Sequence, residues 1–329
     1  MKEKKINLPK ISVVMPIYNE EMKLDNCLKS IRDQDYPQDK IEIVFVDDNS
    51  TDNSIEIAKK YKIKLVKNGA HDYDIGKSLG IKESTGEYII FLDGDNILPS
   101  KNWIKNMIIP LLEDKSLVGS QLLWIKYDKK QSLFDRYCAL YGITDPLTIY
   151  LNNRGHLMIW EKKWKLGLIE EREGYFTVKF NQKNLPTIGS VGFTIRKNYL
   201  LKTNYSPAFS HLDCMQDLIK QSYNKFAMVK QDIIHLHSAN YSSFIGKLNR
   251  NLSIFIRDHN KRRYKWDAPL SKKIYAAVAM MTFILPTYHA LRGYIKIKDN
   301  SWFIHPFICF WVILNYITIL SLWKVGLKK

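Results

Sequence analysis

Four short apolar runs, separated by helical patterns, occupy the first hundred residues, and two of them end in acids. Ile11-Ser-Val-Val-Met-Pro-Ile17 is rich in β-branched residues, is bounded by Pro16 and Asn19, and reads as a buried strand. Glu20 to Gln34 then carries Met22, Leu24, Cys27, Leu28 and Ile31 close to helical spacing. Ile41 to Val46 is a second strand, and it stops abruptly at Asp47-Asp48-Asn49-Ser50. A short helix over Asp52 to Tyr61, a strand over Ile63 to Val66 and a helix over Gly76 to Ser84 follow. Tyr88 to Leu92 is the fourth strand and runs straight into Asp93-Gly94-Asp95. Strands alternating with helices predict an α/β fold, a mainly parallel sheet flanked by helices. In such sheets ligands bind beyond the carboxyl ends of the strands. Both acidic clusters lie at such ends and are expected to meet in one crevice.

The rest of the chain is less regular. Residues 121 to 185 are rich in aromatics, and Gly189 to Phe193 and Phe226 to Val229 suggest a return to the sheet. Ile245 to Lys273 sets nine Lys or Arg against Asp258 and Asp267, and two apolar stretches follow, Ile274 to Leu291 and Trp302 to Trp323. The formal net charge of +17 calls for an anionic partner. No recognised nucleic-acid module accompanies the charge, so nucleic acid is set aside in favour of anionic membrane lipids. Cys27, Cys138, Cys214 and Cys309 lie far apart, which argues against a zinc knuckle or a disulfide framework and fits a reducing compartment. The lysine-rich start, Met1 to Lys10, precedes too short an apolar run for a secretory signal, so the N-terminal domain is expected in the cytoplasm.

Asp93 and Asp95, delivered at the end of an apolar strand, can hold a hard cation such as Mg²⁺ or Mn²⁺ that bridges phosphate oxygens. The competing reading is a solvated turn. An EF-hand is excluded, because Ile97 and Ile104 occupy its fifth and twelfth loop positions. In Asp47-Asp48-Asn49-Ser50-Thr51-Asp52 a helix N-cap accounts for part of the cluster but not for two successive acids before it. One of Asp47 and Asp48 is read as accepting a base N–H or binding ribose hydroxyls. Gly76-Lys77-Ser78 is not a P-loop, since position 71 is His where the motif needs Gly. Lys77 either faces a diphosphate or is a solvated helix lysine. Asp213 and Asp217 share one helical face at i, i+4, and one could act as general base for an acceptor hydroxyl; the alternative is an N-cap and a surface acid. His235 and His237 follow an apolar run with rings expected on opposite faces, and one of them, taken as His237, could complete the metal site.

Pro16-Ile-Tyr-Asn-Glu20, Val46-Asp-Asp-Asn-Ser-Thr-Asp52, Gly86-Glu-Tyr-Ile89 and Leu92-Asp-Gly-Asp95, in this order and spacing, closely resemble the family 2 glycosyltransferases over residues 11 to 100, and more loosely to about 238. The resemblance implies a GT-A (Rossmann-like) fold, a nucleotide-sugar donor, usually UDP-linked, and an inverting mechanism. It also implies that Pro16, Tyr18 and Glu20 border the nucleotide, and that Asp48, with Asp47 beside it, recognises the base. Asp93 and Asp95 match its metal motif, with Asp95 the direct ligand. Two departures stand out: Ser78 where the family often has Asn, and no Glu-Asp signature where Asp213 and Asp217 fall. They keep open an inactive membrane scaffold of the same fold.

As a helix Ile274 to Leu291 would be roughly 27 Å long, against about 30 Å for a hydrocarbon core. Trp302 to Trp323 is longer, free of charge and flanked by aromatics, and reads better as a membrane span. The pair is expected to form either a membrane hairpin or interfacial helices. The expected organisation is a catalytic domain over 1–240, with 121–185 on the acceptor side, a basic juxtamembrane segment over 241–273, and two hydrophobic helices over 274–329. The expected function is sugar transfer to a glycan or lipid-linked acceptor at the cytoplasmic face of the cell membrane, with a polyprenyl-phosphate acceptor as the variant reading.

Overall fold

A computed structural model of the protein describes residues 7–257, 262–264 and 268–324. Part of the basic leader, Asp258 and Asp267 of the basic segment, and Lys328 and Lys329 lie outside the described residues. The chain begins β1 Ile11–Ile17, α1 Glu21–Arg32, β2 Ile41–Asp47, α2 Ser54–Lys59, β3 Lys64–Lys67, α3 Tyr73–Glu83, β4 Tyr88–Phe91. It continues β5 Asn96–Ile97, α4 Trp103–Glu113, β6 Gly119–Ile125, α5 Leu133–Tyr141, α6 Leu147–Tyr150, β7 Leu168–Glu171, β8 Tyr175–Lys179, β9 Thr194–Arg196. It ends α7 Lys197–Leu200, α8 His211–Lys220, β10 Lys225–His235, α9 Tyr241–Arg257, α10 Leu270–Met281, α11 Ile284–Lys296, α12 His305–Lys324.

The chain divides into two compact units, one of 1–123, 165–181 and 188–234, the other of 124–164, 182–187 and 235–329. The boundaries cut the ends of β6 and β10, whose last residues still belong to the sheet. The sequence reading places 121–185 with the catalytic domain, whereas most of it groups with the C-terminal helices.

The first unit is built on one sheet in the order β3-β2-β1-β4-β9-β6-β10-β8-β7, with β5 paired to β10. The predicted parallel sheet is its first half: β1 pairs parallel with β2 and β4, and β2 with β3. From β4 onward the pairings of β4 with β9, β6 with β9, β10 with β8 and β7 with β8 are antiparallel. All seven residues of β1 are buried, which is why this strand reads as an unbroken apolar run rather than an alternating one. Pro16 falls where β1 has outrun β4, whose pairing stops at Val14 opposite Phe91. Trp103 of α4 is fully buried and its indole donates to the Asp232 carbonyl at 2.7 Å.

The second unit is helical. Tyr137 and Tyr141 of α5, Phe244 of α9, Ala276 and Met280 of α10, Trp302, and Ile308 and Val312 of α12 share its core. The buried His305 ring is held between the hydroxyls of Tyr137, 3.0 Å from Nδ1, and Tyr150, 3.1 Å from Nε2. The stretch from Ile274 to Leu291 is not one helix. It breaks between α10 and α11, which meet at 68°, with Phe283 at φ +60°. Pro286 explains the break, since its ring would clash with the carbonyl of residue 282 and it offers no N–H to a continuous helix. Asn300–Leu322, α12 with its lead-in, is the one described helix long and apolar enough to cross a membrane by length and composition.

Candidate functional site

At the end of β1 the chain turns through Asn19, at φ +53°, and enters α1 after Glu20. The Asn19 side chain accepts the Thr51 N–H at 2.8 Å, the Glu20 N–H donates to Ser54 Oγ at 2.8 Å, and the Glu21 N–H donates to Asp52 Oδ2 at 3.0 Å. These bonds tie the end of β1 to the acidic loop after β2. Within that loop the two acids have separated tasks. Asp47, buried, uses Oδ1 to accept the Ser50 N–H at 3.1 Å and shapes the turn. Asp48 Oδ1 is buried with no hydrogen-bond partner among the described residues. Burial raises the Asp48 carboxyl above its ordinary value, and the neighbouring His71 pulls the other way. Around it, His71 lies edge-on to Tyr18 at 6.0 Å and 3.3 Å from Asn49 Nδ2. A buried acceptor without a donor is costly in a folded chain, and one built beside an open aromatic suits a planar N–H donor.

At the end of β4 the Asp93-Gly94-Asp95 loop is closed by Asn96. The Asn96 carbonyl oxygen Oδ1 accepts the Asp93 N–H at 2.9 Å, and its amide donates to Asp95 Oδ1 at 3.0 Å. A Cβ on Gly94 would come within 2.9 Å of Ile17 Cδ1 and 3.0 Å of Glu20 Cβ, so only glycine lets the loop lie this close to the end of β1. Asp95 is 3% exposed, and Lys23 sits 4.0 Å from it and 3.9 Å from Glu20. Ligand atoms of Asp93, Asp95 and His235, the last residue of β10, lie within 4.8 Å of one another. Two carboxylates and one imidazole gathered this closely fit a divalent cation, and the mutual repulsion of the acids is what such an ion would relieve.

Of the two histidines considered from sequence, it is therefore His235 that joins the acids. His237 Nδ1 shares a hydrogen bond with Ser238 Oγ at 2.9 Å and its ring meets Phe244. The rings of His235 and His237 do not point to opposite faces but meet edge-on at 5.3 Å. Residues two apart along a strand share a face, so strand alternation gives no ground for separating these two rings.

Lys77 is not a solvated helix lysine. It is 2% exposed on α3, with its ammonium 4.3 Å from the Tyr73 ring centroid and 5.5 and 5.9 Å from those of Phe91 and Phe209. Burial lowers its pKa, and Asp93 and Asp74 act in opposition. The Tyr73 hydroxyl donates to Asp93 Oδ1, so the first turn of α3 touches the Asp93-Gly94-Asp95 loop directly. Asp72 caps that turn, accepting the Asp74 and Ile75 N–H groups at 2.9 and 3.1 Å.

Asp213 and Asp217 both lie on α8 and both are buried. Asp217 Oδ2 accepts the Asn204 N–H at 3.0 Å, a task in holding the preceding loop. The approach to α8 is fixed to the donor side of the sheet. The Phe209 N–H donates to the Asp74 carbonyl at 2.8 Å, and its ring stacks on Phe91 at 4.8 Å. Gly189, at φ +100°, lies against the first turn of α8, where a Cβ would come within 3.2 Å of His211 Cβ. Sequence reasoning missed Tyr73, Lys23, Asn96 and Phe209. Lys23, three residues after Glu20, and Asn96, next to Asp95, carried a spacing signal; Tyr73 and Phe209 carried none, because only the tertiary fold brings them to the site.

A parallel half-sheet with acids at its carboxyl ends, continued by antiparallel strands, is the GT-A-like arrangement of glycosyltransferases. A solved structure of a mannosyltransferase from Pyrobaculum calidifontis, in complex with GDP-Man and Mn²⁺, shares this fold with a TM-score of 0.55 at 14% identity, over 95% of this chain and 86% of that one. Residues 12–157 match the model of Glycosyl transferase family 2. An uncharacterized glycosyltransferase of Haemophilus influenzae is 33% identical over 312 residues, 89% of this chain and 100% of its own. The chain belongs to glycosyl transferase family 2 and is a glycosyltransferase. Glycosyltransferase AglE of Haloferax volcanii is 33% identical over 104 residues, 30% of this chain. The chain spans 34% or less of the length of the first curated relatives it matches.

Proposed function

We propose that this glycosyltransferase moves a sugar, with inversion, from a nucleotide-diphosphate sugar, UDP-linked by preference, to a glycan or lipid-linked acceptor at the cytoplasmic face of a membrane. The observation that carries the reading is the placement of a buried Asp48 oxygen without a partner among the described residues, and of the Asp93, Asp95 and His235 cluster, beyond the carboxyl ends of the two strands that flank β1. In this reading Pro16, Tyr18 and Glu20 border the nucleotide, and Asp48 accepts a base N–H while Asp47 keeps the loop in shape. Lys77 presents its ammonium to the diphosphate from a ring-lined slot, where low polarity strengthens the attraction. Asp95, Asp93 and His235 would hold Mg²⁺ or Mn²⁺, and the bound ion supplies Lewis-acid stabilisation of the departing diphosphate. His237 serves the site only by supporting the chain next to His235.

The acceptor oxygen forms its bond to the anomeric carbon as the bond from that carbon to the diphosphate oxygen breaks. Asp213 takes the acceptor's proton, and Asp217 holds the loop before α8. The mannosyltransferase complex with GDP-Man and Mn²⁺ supports a nucleotide-sugar and a divalent ion as the donor pair. The membrane location is supported by the apolar α12 and by the net charge of +17.

The test is a thermal-shift screen of UDP-, GDP- and dTDP-sugars with and without Mn²⁺, followed by turnover of whichever donor stabilises the protein. Metal-dependent donor hydrolysis or transfer is expected, and Asp95→Ala should abolish it while the protein stays folded. Absence of nucleotide-sugar binding with any divalent metal would overturn the reading.

A further inference from the structure

Helices α10, α11 and α12 bury one side in the core of the second unit and leave another apolar side outside it. On α11, Ile284, Tyr288, Leu291 and Ile295 follow one face at i, i+4, i+7 and i+11 and are 50–77% exposed. On α12, Phe307 is 67% and Ile317 51% exposed. Among the described residues, more than half of the large exposed apolar side chains fall between 270 and 320. A helix in water places polar residues on such a face, and contiguous apolar surface of this kind marks a binding surface.

Its charge says what it binds. Arg292 and Lys296, both exposed, are set into the α11 stripe, and Lys273 and Lys298 lie near the ends of the pair. From 268 to 324 the one acid is Asp299, and it is buried, paired with Arg136 at 2.9 Å and accepting from the Tyr127 hydroxyl at 2.6 Å. Apolar side chains among cations, with no accessible acid, complement an anionic lipid surface.

The packing also says how. The inner face of α12 is fixed to α5 and α6 through His305, and Tyr316 faces the half-buried Asp145 at 3.5 Å. Were α12 to cross a bilayer, it would draw Asp145, Asp299 and Arg136 towards hydrocarbon, where charged groups are strongly disfavoured. The 68° break between α10 and α11 likewise leaves no straight apolar rod there. We propose that α10, α11 and α12 form a monotopic docking face that lies in the headgroup region of an anionic leaflet and crosses it nowhere. This deepens the membrane location proposed above and is independent of the donor chemistry.

The test uses the full chain, purified without detergent and floated with preformed vesicles of phosphatidylcholine, alone or with about one-third phosphatidylglycerol. Binding to the anionic vesicles should exceed binding to the neutral ones by about tenfold. The double variant Leu291→Glu, Ile295→Glu should lower it by a further tenfold or so, and Arg292→Gln, Lys296→Gln should remove the preference for anionic lipid. Donor hydrolysis by these variants should be unchanged, which shows that they fold. In cells, a membrane-impermeant maleimide should reach Asn300→Cys and Ser321→Cys only from the cytoplasmic side, the four native cysteines being buried. Labelling of the two positions from opposite sides would overturn the proposal in favour of a span. Failure to bind any vesicle, with the chain dimeric through this face, would overturn it in favour of a contact between copies. If vesicles bind as expected but no donor is ever turned over, the docking face stands and the transferase reading of the site fails.

Discussion

Replacing Lys77 by methionine should move stability and donor affinity in opposite directions. The ammonium is enclosed by Tyr73, Phe91 and Phe209 and makes no ion pair among the described residues. Removing a lone ammonium from water costs several kcal/mol. Contact with desolvated rings returns about 2 kcal/mol, and the more distant Asp93 returns part of the rest. Methionine fills the same apolar slot without that penalty, so unfolding free energy should rise by about 1–2 kcal/mol, and the melting temperature by a few degrees. If Lys77 contacts the diphosphate, the loss of a charge-assisted bond worth about 1.5–3 kcal/mol should lower kcat/KM for the donor by about 10- to 150-fold. The pH dependence is fixed in sign. Burial holds the Lys77 pKa below its ordinary 10.5, so the folded state disfavours the protonated form. Between the folded value and 10.5 the unfolded chain binds more protons, and stability should rise with pH; below the folded value the penalty is complete. The variant should lose that slope. Urea unfolding across alkaline pH and donor-hydrolysis kinetics measure both arms. A variant less stable than the parent, or one with unaltered donor kinetics, would refute the reasoning.

Three further outcomes are expected. Asp48→Asn should weaken donor binding at least about tenfold by calorimetry, while stability at neutral pH rises by at most about 1 kcal/mol, since a partly buried carboxylate with a raised pKa destabilises the fold above that pKa and ceases to do so as pH falls through it. Asp213→Asn should lower turnover with a hydroxyl acceptor by about 10²- to 10⁴-fold without changing donor affinity, whereas Asp217→Asn, which keeps an acceptor oxygen for the Asn204 N–H, should stay within a few-fold of the parent. Equal losses in both variants would remove Asp213 from its assigned role. Gly94→Ala sets a Cβ 2.9 Å from Ile17 Cδ1, so the loop must shift, and Mn²⁺ affinity should fall by about tenfold in a protein that still melts cooperatively; unchanged affinity would show the loop to be looser than its packing implies.

The parallel half of the sheet was legible because β1, β2 and β4 are buried on both faces and β2 and β4 run into acids. Ile11–Ile17 matches its expected bounds, and Ile41–Asp47 and Tyr88–Phe91 fall within one residue of theirs. The positions of Asp48, Asp93 and Asp95 at strand ends follow from that pattern, and the metal-binding and base-binding roles proposed for them rest on the family resemblance. What was not legible depends on neighbours distant in sequence. Helix α4 went unread, and it carries Pro110 inside it. The aromatic stretch after 121 hides β6, α5 and α6, because its rings pack against α9, α10 and α12 rather than repeating along one face. The expectation of opposite faces for His235 and His237 failed because a period of two sets residues two apart on the same face, where the structure has their rings in contact. Lys77 read as ambiguous because only Phe91 and Phe209, brought in from β4 and the lead-in to α8, turn a helix lysine into an enclosed one.

The chain passes between its two units five times, at 123/124, 164/165, 181/182, 187/188 and 234/235. Two inserts into the first unit's strand order, 124–164 and 182–187, thus belong to the second unit. On the function proposed above, new acceptor preferences would arise by rewriting inserts between strands that stay in register, with the strand-end loops of β1, β2 and β4 left untouched. Descendants of such a chain would then diversify in what they decorate long before they changed what they spend.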